Sequence, residues 1–205
     1  MSTGTGASIL SGGTSISSLS TDNLSNLKLV DLGEGETILA VSGSALQTRM
    51  TKGLLVNRQN EIQEFCGNAA EASDELFTSM KTLMSKCSAI ATHPYLVITP
   101  PVANAELPDE KEAEYLVASS GKFVALGKLL DALKGDKEVK VGIVVEDIKG
   151  VELIDGFLRG RGIRVRRTDG AGVRAVQTGD LRGGPNVTIV LAGKAGSRAI
   201  VVCRF

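Results

Sequence analysis

The seven residues V-K-V-G-I-V-V, from Val139 to Val145, form a nearly unbroken apolar run. Such a run, without polar alternation, is typical of a strand that is buried on both faces of a sheet. An amphipathic stretch follows from Ile148 to Leu158, and shorter apolar runs occupy 163–165, 187–191 and 199–203. Because these runs alternate with a helical stretch and glycine-containing turns, the sequence predicts an α/β fold with a parallel sheet and right-handed crossovers.

An amphipathic helical hairpin is predicted before this region. Apolar residues recur at helical spacing from Ser44 to Phe65 and again from Ser73 to Ala91. Pro94 disfavours helical geometry at His93 and so ends the second helix. The acidic stretch 106–114 is interpreted as a surface loop, and a short helix is expected after Ser120.

Composition suggests a flexible arm and one domain. Residues 1–27 are rich in Ser, Thr and Gly and have little apolar surface to offset their chain entropy. We therefore expect a flexible arm at 1–27 and a single domain at 28–205, with a helical extension at 28–91 and an α/β core at 92–205. With 42% hydrophobic but only 3% aromatic residues, the core must be mainly aliphatic.

The composition also excludes several function classes. Basic and acidic residues number 23 each, so net charge does not indicate a nucleic-acid partner. Cys66, Cys87 and Cys203 are widely spaced, and His93 is the single histidine, so we expect neither a disulfide framework nor a metal site. No apolar run is long enough to span a membrane and no secretory signal is visible, which predicts an intracellular protein without a membrane partner.

Four segments, in order, match a known motif series. Thr92–Leu96 (T-H-P-Y-L) resembles an N-H-P-Y-L element, and Ser119–Phe123 (S-S-G-K-F) resembles the start of an S-G-K helix. The strand at 139–145 and the segment 162–170, which ends in T-D-G, follow at the expected spacing. The series resembles the second motor lobe of Swi2/Snf2-type helicases, which implies a RecA-like, helicase C-terminal-lobe sheet flanked by helices. The resemblance implies that six residues are structural motif positions: His93, Pro94, Gly121, Lys122, Asp169 and Gly170.

The elements needed for phosphoryl transfer are missing from the sequence. There is no Walker A glycine spacing, no D-E-x-H box and no Q-R-x-x-R segment, and Ala171 stands where the helicase family has a hydroxyl residue. Phosphoryl transfer requires a phosphate cradle, Mg²⁺ ligands and a cationic stabiliser. We therefore expect no enzymatic activity, no catalytic residue, no metal and no cofactor.

A degenerate second lobe preceded by helices is similar to the N-terminal domain of fungal class II histone deacetylase complex subunits 2 and 3. This resemblance implies a nuclear, non-catalytic architectural subunit of a chromatin-silencing complex. The implied partners are a deacetylase or a paralogous subunit, with duplex DNA as a further partner. Two alternatives stay open: an excised second lobe of an active remodeller, and a small-molecule-binding domain or transferase that uses glycine-rich turns at 179–184 and 193–196.

An arginine-rich segment is the candidate nucleic-acid site. Residues 156–168 contain five arginines and no acid. The candidate residues are Arg159, Arg161, Arg164, Arg166 and Arg167, with Arg174 as an extension. Guanidinium groups at this density can hold phosphates without reading base sequence. The alternative is a solvated helix end and strand edge, or a protein contact.

Overall fold

The computed structural model describes residues 7–11, 28–33, 36–100, 108–133, 140–163, 165–167, 186–191 and 201–204. These residues contain seven strands: β1 (Ala7–Ser11), β2 (Lys28–Gly33), β3 (Glu36–Ala40), β4 (Lys140–Val145), β5 (Val165–Arg167), β6 (Asn186–Leu191) and β7 (Val201–Arg204). They also contain six α-helices: α1 (Ala45–Asn57), α2 (Gln59–Gly67), α3 (Asp74–Thr92), α4 (Asp109–Ser119), α5 (Gly121–Ala132) and α6 (Ile148–Gly160). Short 3₁₀ turns lie at Ala69–Glu71 and Pro94–Leu96.

All seven strands belong to one mixed sheet, in the order β2-β3-β1-β7-β4-β6-β5. One half is parallel, with β4 between β7 and β6. Ile143 of β4 lies opposite Cys203 of β7 on one side and opposite Ile189 of β6 on the other. Strand β5 continues this half beyond β6, also in parallel. The other half is antiparallel, because β1 pairs with β7 and β3, and β3 pairs with β2.

Side-chain caps define where the helices begin. Ser73 accepts the backbone N–H of Leu76 at 3.2 Å, and Asp147 accepts that of Gly150 at 2.7 Å. Ser44 and Gln47 form a reciprocal capping box at the start of α1. These contacts satisfy backbone donors that have no partner within the helix.

The main core lies between the sheet and helices α4, α5 and α6. It is largely aliphatic, as the composition predicts, and centres on Phe123, Ile143 and Phe157. The rings of Phe123 and Phe157 meet edge to face with centroids 5.3 Å apart. Helices α4 and α6 pack closely at Gly160, where a Cβ atom would lie 2.2 Å from the carbonyl oxygen of Asp109.

The α/β class and the parallel strands are confirmed, but the N-terminal part differs from its prediction. Residues 7–11, expected in a flexible arm, form β1, and residues 28–33 and 36–40, expected in a helical extension, form β2 and β3. The hydrogen bonds of β1 come from strands far away in sequence, which local composition cannot reveal. Residues 1–6 and 12–27 lie outside the described residues.

Two further predictions differ within the helices. The single helix expected from Ser44 to Phe65 is divided at Arg58 into α1 and α2. The acidic loop contains helix α4 instead, whose first turn carries Asp109, Glu110 and Glu112. Carboxylates are favoured at that position because the helix dipole is positive there. That residues 28–205 form a single domain stays a prediction.

Candidate functional site: the motif junction and the arginine cluster

Four of the six motif residues lie together at the meeting point of α1, α3, α4 and α5, which we call the motif junction. His93 ends α3, and Pro94 opens the following 3₁₀ turn. Gly121 and Lys122 begin α5. Asp169 and Gly170 lie outside the described residues.

His93 is held inside the junction and is only 1% exposed. Its Nδ1 accepts the backbone N–H of Tyr95 at 3.1 Å, so the proton is on Nε2, which donates to the carbonyl oxygen of Leu116 at 3.1 Å. The imidazole ring packs between the rings of Tyr95 and Phe123, with centroid-to-centroid distances of 4.8 and 4.7 Å. Burial lowers the pKa of His93 to about 4, against the opposing effect of the Leu116 hydrogen bond. The imidazole is therefore neutral, packs against both rings and caps the 3₁₀ turn at Pro94–Leu96.

The serines of the S-S-G-K segment also bond within the protein. The Ser120 hydroxyl donates to the carbonyl oxygen of Thr92 at 2.9 Å, and the Ser119 hydroxyl donates to the Tyr95 hydroxyl at 3.1 Å. The Ser44 hydroxyl donates to the Ser119 carbonyl at 2.7 Å. The segment is thus fixed to the start of α1 and to the end of α3.

Gln47 is the centre of the junction. Its Oε1 accepts the backbone N–H groups of Gly121 at 3.0 Å and Ser44 at 2.8 Å. Its Nε2 donates to the carbonyls of Ile90 and Ala91 at 2.8 and 3.0 Å. Sequence reasoning missed this residue. The Ser44-x-x-Gln47 spacing signals a capping box, but not the contacts to α3 and α5.

The N-terminus of α5 is closed by the chain itself. A Cβ atom at Gly121 would lie 1.9 Å from the carbonyl oxygen of Ser42, so only glycine lets the two backbones pass. Lys122 is 6% exposed, with its Nζ 3.5 Å from the Thr92 hydroxyl. Burial lowers the pKa of Lys122, and the Glu146 carboxylate opposes this change. This arrangement is unlike a phosphate cradle, in which free N–H groups and a lysine face the ligand.

Three of the four candidate arginines that the structure describes make ion pairs. Arg159 contacts Asp155 at 3.5 Å and Asp109 at 3.8 Å. Arg167 contacts the same Asp155 at 3.5 Å. Arg161 pairs with Asp131 and lies over the ring of Phe157, 5.5 Å from its centroid.

These pairs change the interpretation of the arginine-rich segment. Three of its arginines form ion pairs with aspartates of α4, α5 and α6. These ion pairs connect the C-terminal end of α6 to the neighbouring elements. Arg166 on the edge strand β5 is exposed and makes no ion pair with the residues that the structure describes. Arg164 and Arg174 lie outside the described residues, as do the glycine-rich turns at 179–184 and 193–196. The nucleic-acid role of the cluster stays a prediction.

Other chemistry is sparse in the described ranges. They contain no group of three or more side chains that could hold a metal ion. None of the helices in the described part is both long and apolar enough to cross a membrane. A shallow groove of about 490 Å³ lies between α3 and the end of α1, lined by Arg58, Asp74, Glu75, Thr78, Ser79 and Thr82. It is formed by helices and not by the carboxyl ends of the strands, where α/β folds usually bind small ligands.

The fold and the junction define an α/β domain with helicase-like motif elements held by internal contacts. The family model for class II histone deacetylase complex subunits 2 and 3 matches residues 33–186. The chain belongs to this family, which confirms the resemblance found in the motif series.

Curated relatives agree with this assignment. HDA1 complex subunit 3 of Saccharomyces cerevisiae is 26% identical over 143 residues, covering 70% of this chain and 22% of that protein. The Eremothecium gossypii protein of the same description is 24% identical over 131 residues, covering 64% of this chain and 20% of that protein. Human chromodomain-helicase-DNA-binding protein 1 is 27% identical over 136 residues, covering 66% of this chain and 7% of that protein. The chain thus spans about a fifth of the length of the HDA1 relatives.

Two solved structures share the fold. A chain from structural and functional studies of the yeast class II Hda1 HDAC complex superposes with a TM-score of 0.61 at 24% identity, covering 73% of this chain and 49% of that chain. A chain from the crystal structure of fission yeast Ccq1 and Tpz1 superposes with a TM-score of 0.54 at 17% identity, covering 75% of this chain and 50% of that chain.

Proposed function

We propose that this chain is a non-catalytic architectural subunit of a nuclear histone-deacetylase-type chromatin complex, built on a RecA-like helicase second lobe. The closed motif junction is the observation that carries this proposal. The N–H of Gly121 is accepted by Gln47, and the hydroxyls of Ser119 and Ser120 bond to Tyr95 and Thr92. The helicase-type elements are thus used to hold helices together, so no free cradle is left for a nucleotide phosphate at this point.

Relatives support the choice of complex. The HDA1 relatives are described as subunits of a complex, and the family as subunits of class II histone deacetylase complexes. The similarity to a chromodomain-helicase protein over 66% of the chain supports descent of the fold from a helicase lobe. We infer that the partners are a class II deacetylase and a paralogous subunit.

Two measurements on purified protein test the proposal. Co-expression with the class II deacetylase and the paralogous subunit of the same organism is expected to give a complex that co-elutes in size-exclusion chromatography. The chain alone is expected to hydrolyse no ATP, with or without duplex DNA. DNA-stimulated ATP turnover, or separate elution of all partners, would contradict the proposed role.

A second candidate function, contact with DNA phosphate, is favoured by Arg166. This arginine is exposed on an edge strand, and the aspartates nearby are paired with Arg159, Arg161 and Arg167. We infer that any phosphate contact is made by Arg166, together with Arg164 and Arg174. Each lost phosphate contact weakens binding to every duplex and lowers the salt slope by about one.

Charge reversal separates this candidate from a plain surface. Arg166→Glu is expected to weaken binding to duplexes of unrelated sequence equally and to reduce the salt dependence, measured by fluorescence anisotropy. Lys149→Glu on the exposed start of α6 is the matched control and is expected to change little. Equal effects of the two reversals would leave the protein-assembly role alone.

A further inference from the structure

Helix α2 is a short element between two joints in the backbone. Arg58, where α1 ends and α2 begins, has a φ of −115° and a ψ of 17°, and Asn68, where α2 ends, has a φ of −148° and a ψ of 50°. Neither pair of angles is helical. None of the α2 residues is buried, and none belongs to the main core. Residues at the ends of elements are the positions that absorb backbone rotation when an element moves.

The helices on either side of α2 are anchored. Helix α1 is fixed to the motif junction through the buried side chain of Gln47. Helix α3 buries Met80, Leu83 and Ile90, and it ends at the buried His93. Because α2 has no buried side chain of its own, its position depends on the contacts that join it to α3.

Three polar side chains join α2 to α3, and we call Arg58, Glu61 and Ser79 the latch. The Ser79 hydroxyl donates to Glu61 Oε2 at 2.6 Å. The Arg58 guanidinium donates to the same oxygen at 2.6 Å and to the Ser79 hydroxyl oxygen at 3.0 Å. The hydrogen bonds from Arg58 and Ser79 lower the pKa of Glu61, so its carboxylate is ionised near neutral pH. Ser79 directly precedes the buried Met80, so the latch connects α2 to a fixed point on α3.

The contacts between α2 and α3 lie open to water. The side chains of Arg58 and Glu61 are 36% and 34% exposed, and the shallow groove described above runs beside Ser79. The rings of Phe65 and Phe77 add a contact with centroids 6.1 Å apart, but Phe77 is itself 58% exposed. Solvent-exposed ion pairs contribute little to stability. Elements with few buried apolar contacts open at free energies well below that of global unfolding.

We propose that α2 opens as a unit about Arg58 and Asn68, and that the latch holds it closed. In the open form the Glu61 carboxylate leaves Ser79 and the Phe65 ring leaves Phe77, while α1 and α3 keep their anchored positions. The aromatic faces that meet in the closed form become accessible only when α2 opens. The domain thus carries a conformational device that works without unfolding the core.

Hydrogen exchange of the whole chain, followed by mass spectrometry, is the first test. Protection of the amides of α2 is expected to be at least about tenfold lower than that of α6, whose apolar face is buried. Ser79→Ala is expected to lower the protection of α2 by about threefold or more and to leave α6 unchanged. Ser85→Ala, at an exposed position of the same helix, is the matched control and is expected to change neither. Equal protection of α2 and α6, or equal effects of the two serine variants, would overturn the proposal.

Pairs of substitutions test whether the latch acts as one device. Glu61→Ala combined with Ser79→Ala is expected to lower the protection of α2 no further than Glu61→Ala alone, because both changes break the same hydrogen bond. Phe65→Ala combined with Ser79→Ala is expected to multiply the two separate effects, because the ring pair and the latch are different contacts. Independent effects of Glu61→Ala and Ser79→Ala would contradict the assignment of these two residues to one latch. Faster exchange of α6 to the same extent as α2 would show global unfolding in place of the opening of α2.

Discussion

The side-chain oxygen of Gln47 accepts the backbone N–H of Gly121 at 3.0 Å, although the two residues are 74 positions apart. The contact joins the first turn of α1 to the first turn of α5. It also supplies from the protein the acceptor that a free helix N-terminus would otherwise take from solvent or an anion. In this chain the S-S-G-K segment, which resembles a helicase motif, therefore serves as an internal contact between α1 and α5.

Replacement of Gln47 by Leu is expected to destabilise the fold strongly. The change keeps the size of the side chain but removes four hydrogen bonds, leaving the N–H of Gly121 and the carbonyl of Ile90 without this partner. A buried polar group without a partner costs about 1–3 kcal/mol, so we expect a loss of roughly 2–4 kcal/mol in the free energy of unfolding, measured by urea denaturation. Gln63→Leu on the exposed face of α2 is the control, and a loss of similar size there would refute the role given to Gln47.

Two helical glycines are expected to respond to alanine with opposite signs. At Gly160 the added Cβ would lie 2.2 Å from the Asp109 carbonyl and 2.5 Å from the Ala113 Cβ, so α4 and α6 must separate. Overpacking of this kind costs roughly 1–3 kcal/mol. At Gly53 in α1 there is nothing within 4 Å, so alanine is expected to stabilise by about 0.5–1 kcal/mol. Thermal unfolding of both variants measures the contrast, and a stabilising Gly160→Ala would show that α4 and α6 do not meet as described.

The stability of the fold is expected to fall as pH decreases from 6.5 towards 4. Burial lowers the pKa of His93 to about 4 in the folded state, while the imidazole of the unfolded chain titrates near its ordinary pKa of 6.5. Between these values the unfolded state binds more protons, so the free energy of unfolding rises with pH and its His93 contribution is complete above 6.5. The full difference is worth up to roughly 3 kcal/mol.

Because the chain has one histidine, its NMR titration is free of overlap. The ring signal is expected to stay in the neutral form down to about pH 5. In His93→Asn the slope of stability between pH 5 and 6.5 is expected to disappear. A ring that titrates near 6.5 in the folded protein would be inconsistent with burial at the junction.

Lys122→Met is expected to leave the fold intact. The ammonium group is buried with a lowered pKa and a long contact to the Thr92 hydroxyl. Burying an ammonium group costs desolvation free energy that an apolar side chain of similar volume does not, so we expect a change within about 1 kcal/mol by urea denaturation. Assembly with the partner subunits is expected to be unchanged, and its loss would indicate that Lys122 has a role beyond packing.

The parts of the fold that local sequence determines could be predicted. The apolar run of β4 and the amphipathic pattern of α6 report their own environments, and both elements form close to their predicted bounds. Strand β1 could not be predicted because its only large apolar residues are Ile9 and Leu10, and its partners are remote in sequence.

The same limit applies to the candidate sites. His93 was identified through its motif, and the structure buries it between Tyr95 and Phe123. The arginines were identified as a cluster because no acid lies within 156–168. Their partners Asp109 and Asp131 come from other helices, and Asp155 lies just before the segment. Charge density along the chain does not show which charges are neutralised in three dimensions.

Strand β7 is the only strand that joins the two halves of the described sheet. Cys203 of β7 lies opposite Ile9 of β1 on one side and opposite Ile143 of β4 on the other. During translation the N-terminal strands therefore cannot pair with the parallel half of the sheet until β7, at Val201–Arg204, has been synthesised. Contacts of such long range close slowly, and an exposed strand edge during that interval invites pairing with other chains. A shortened polypeptide limited to the family-matched residues 33–186 would lack β1 and β7 and nearly all of β2 and β6, so we expect it to leave both edges of β4 open and to aggregate on expression.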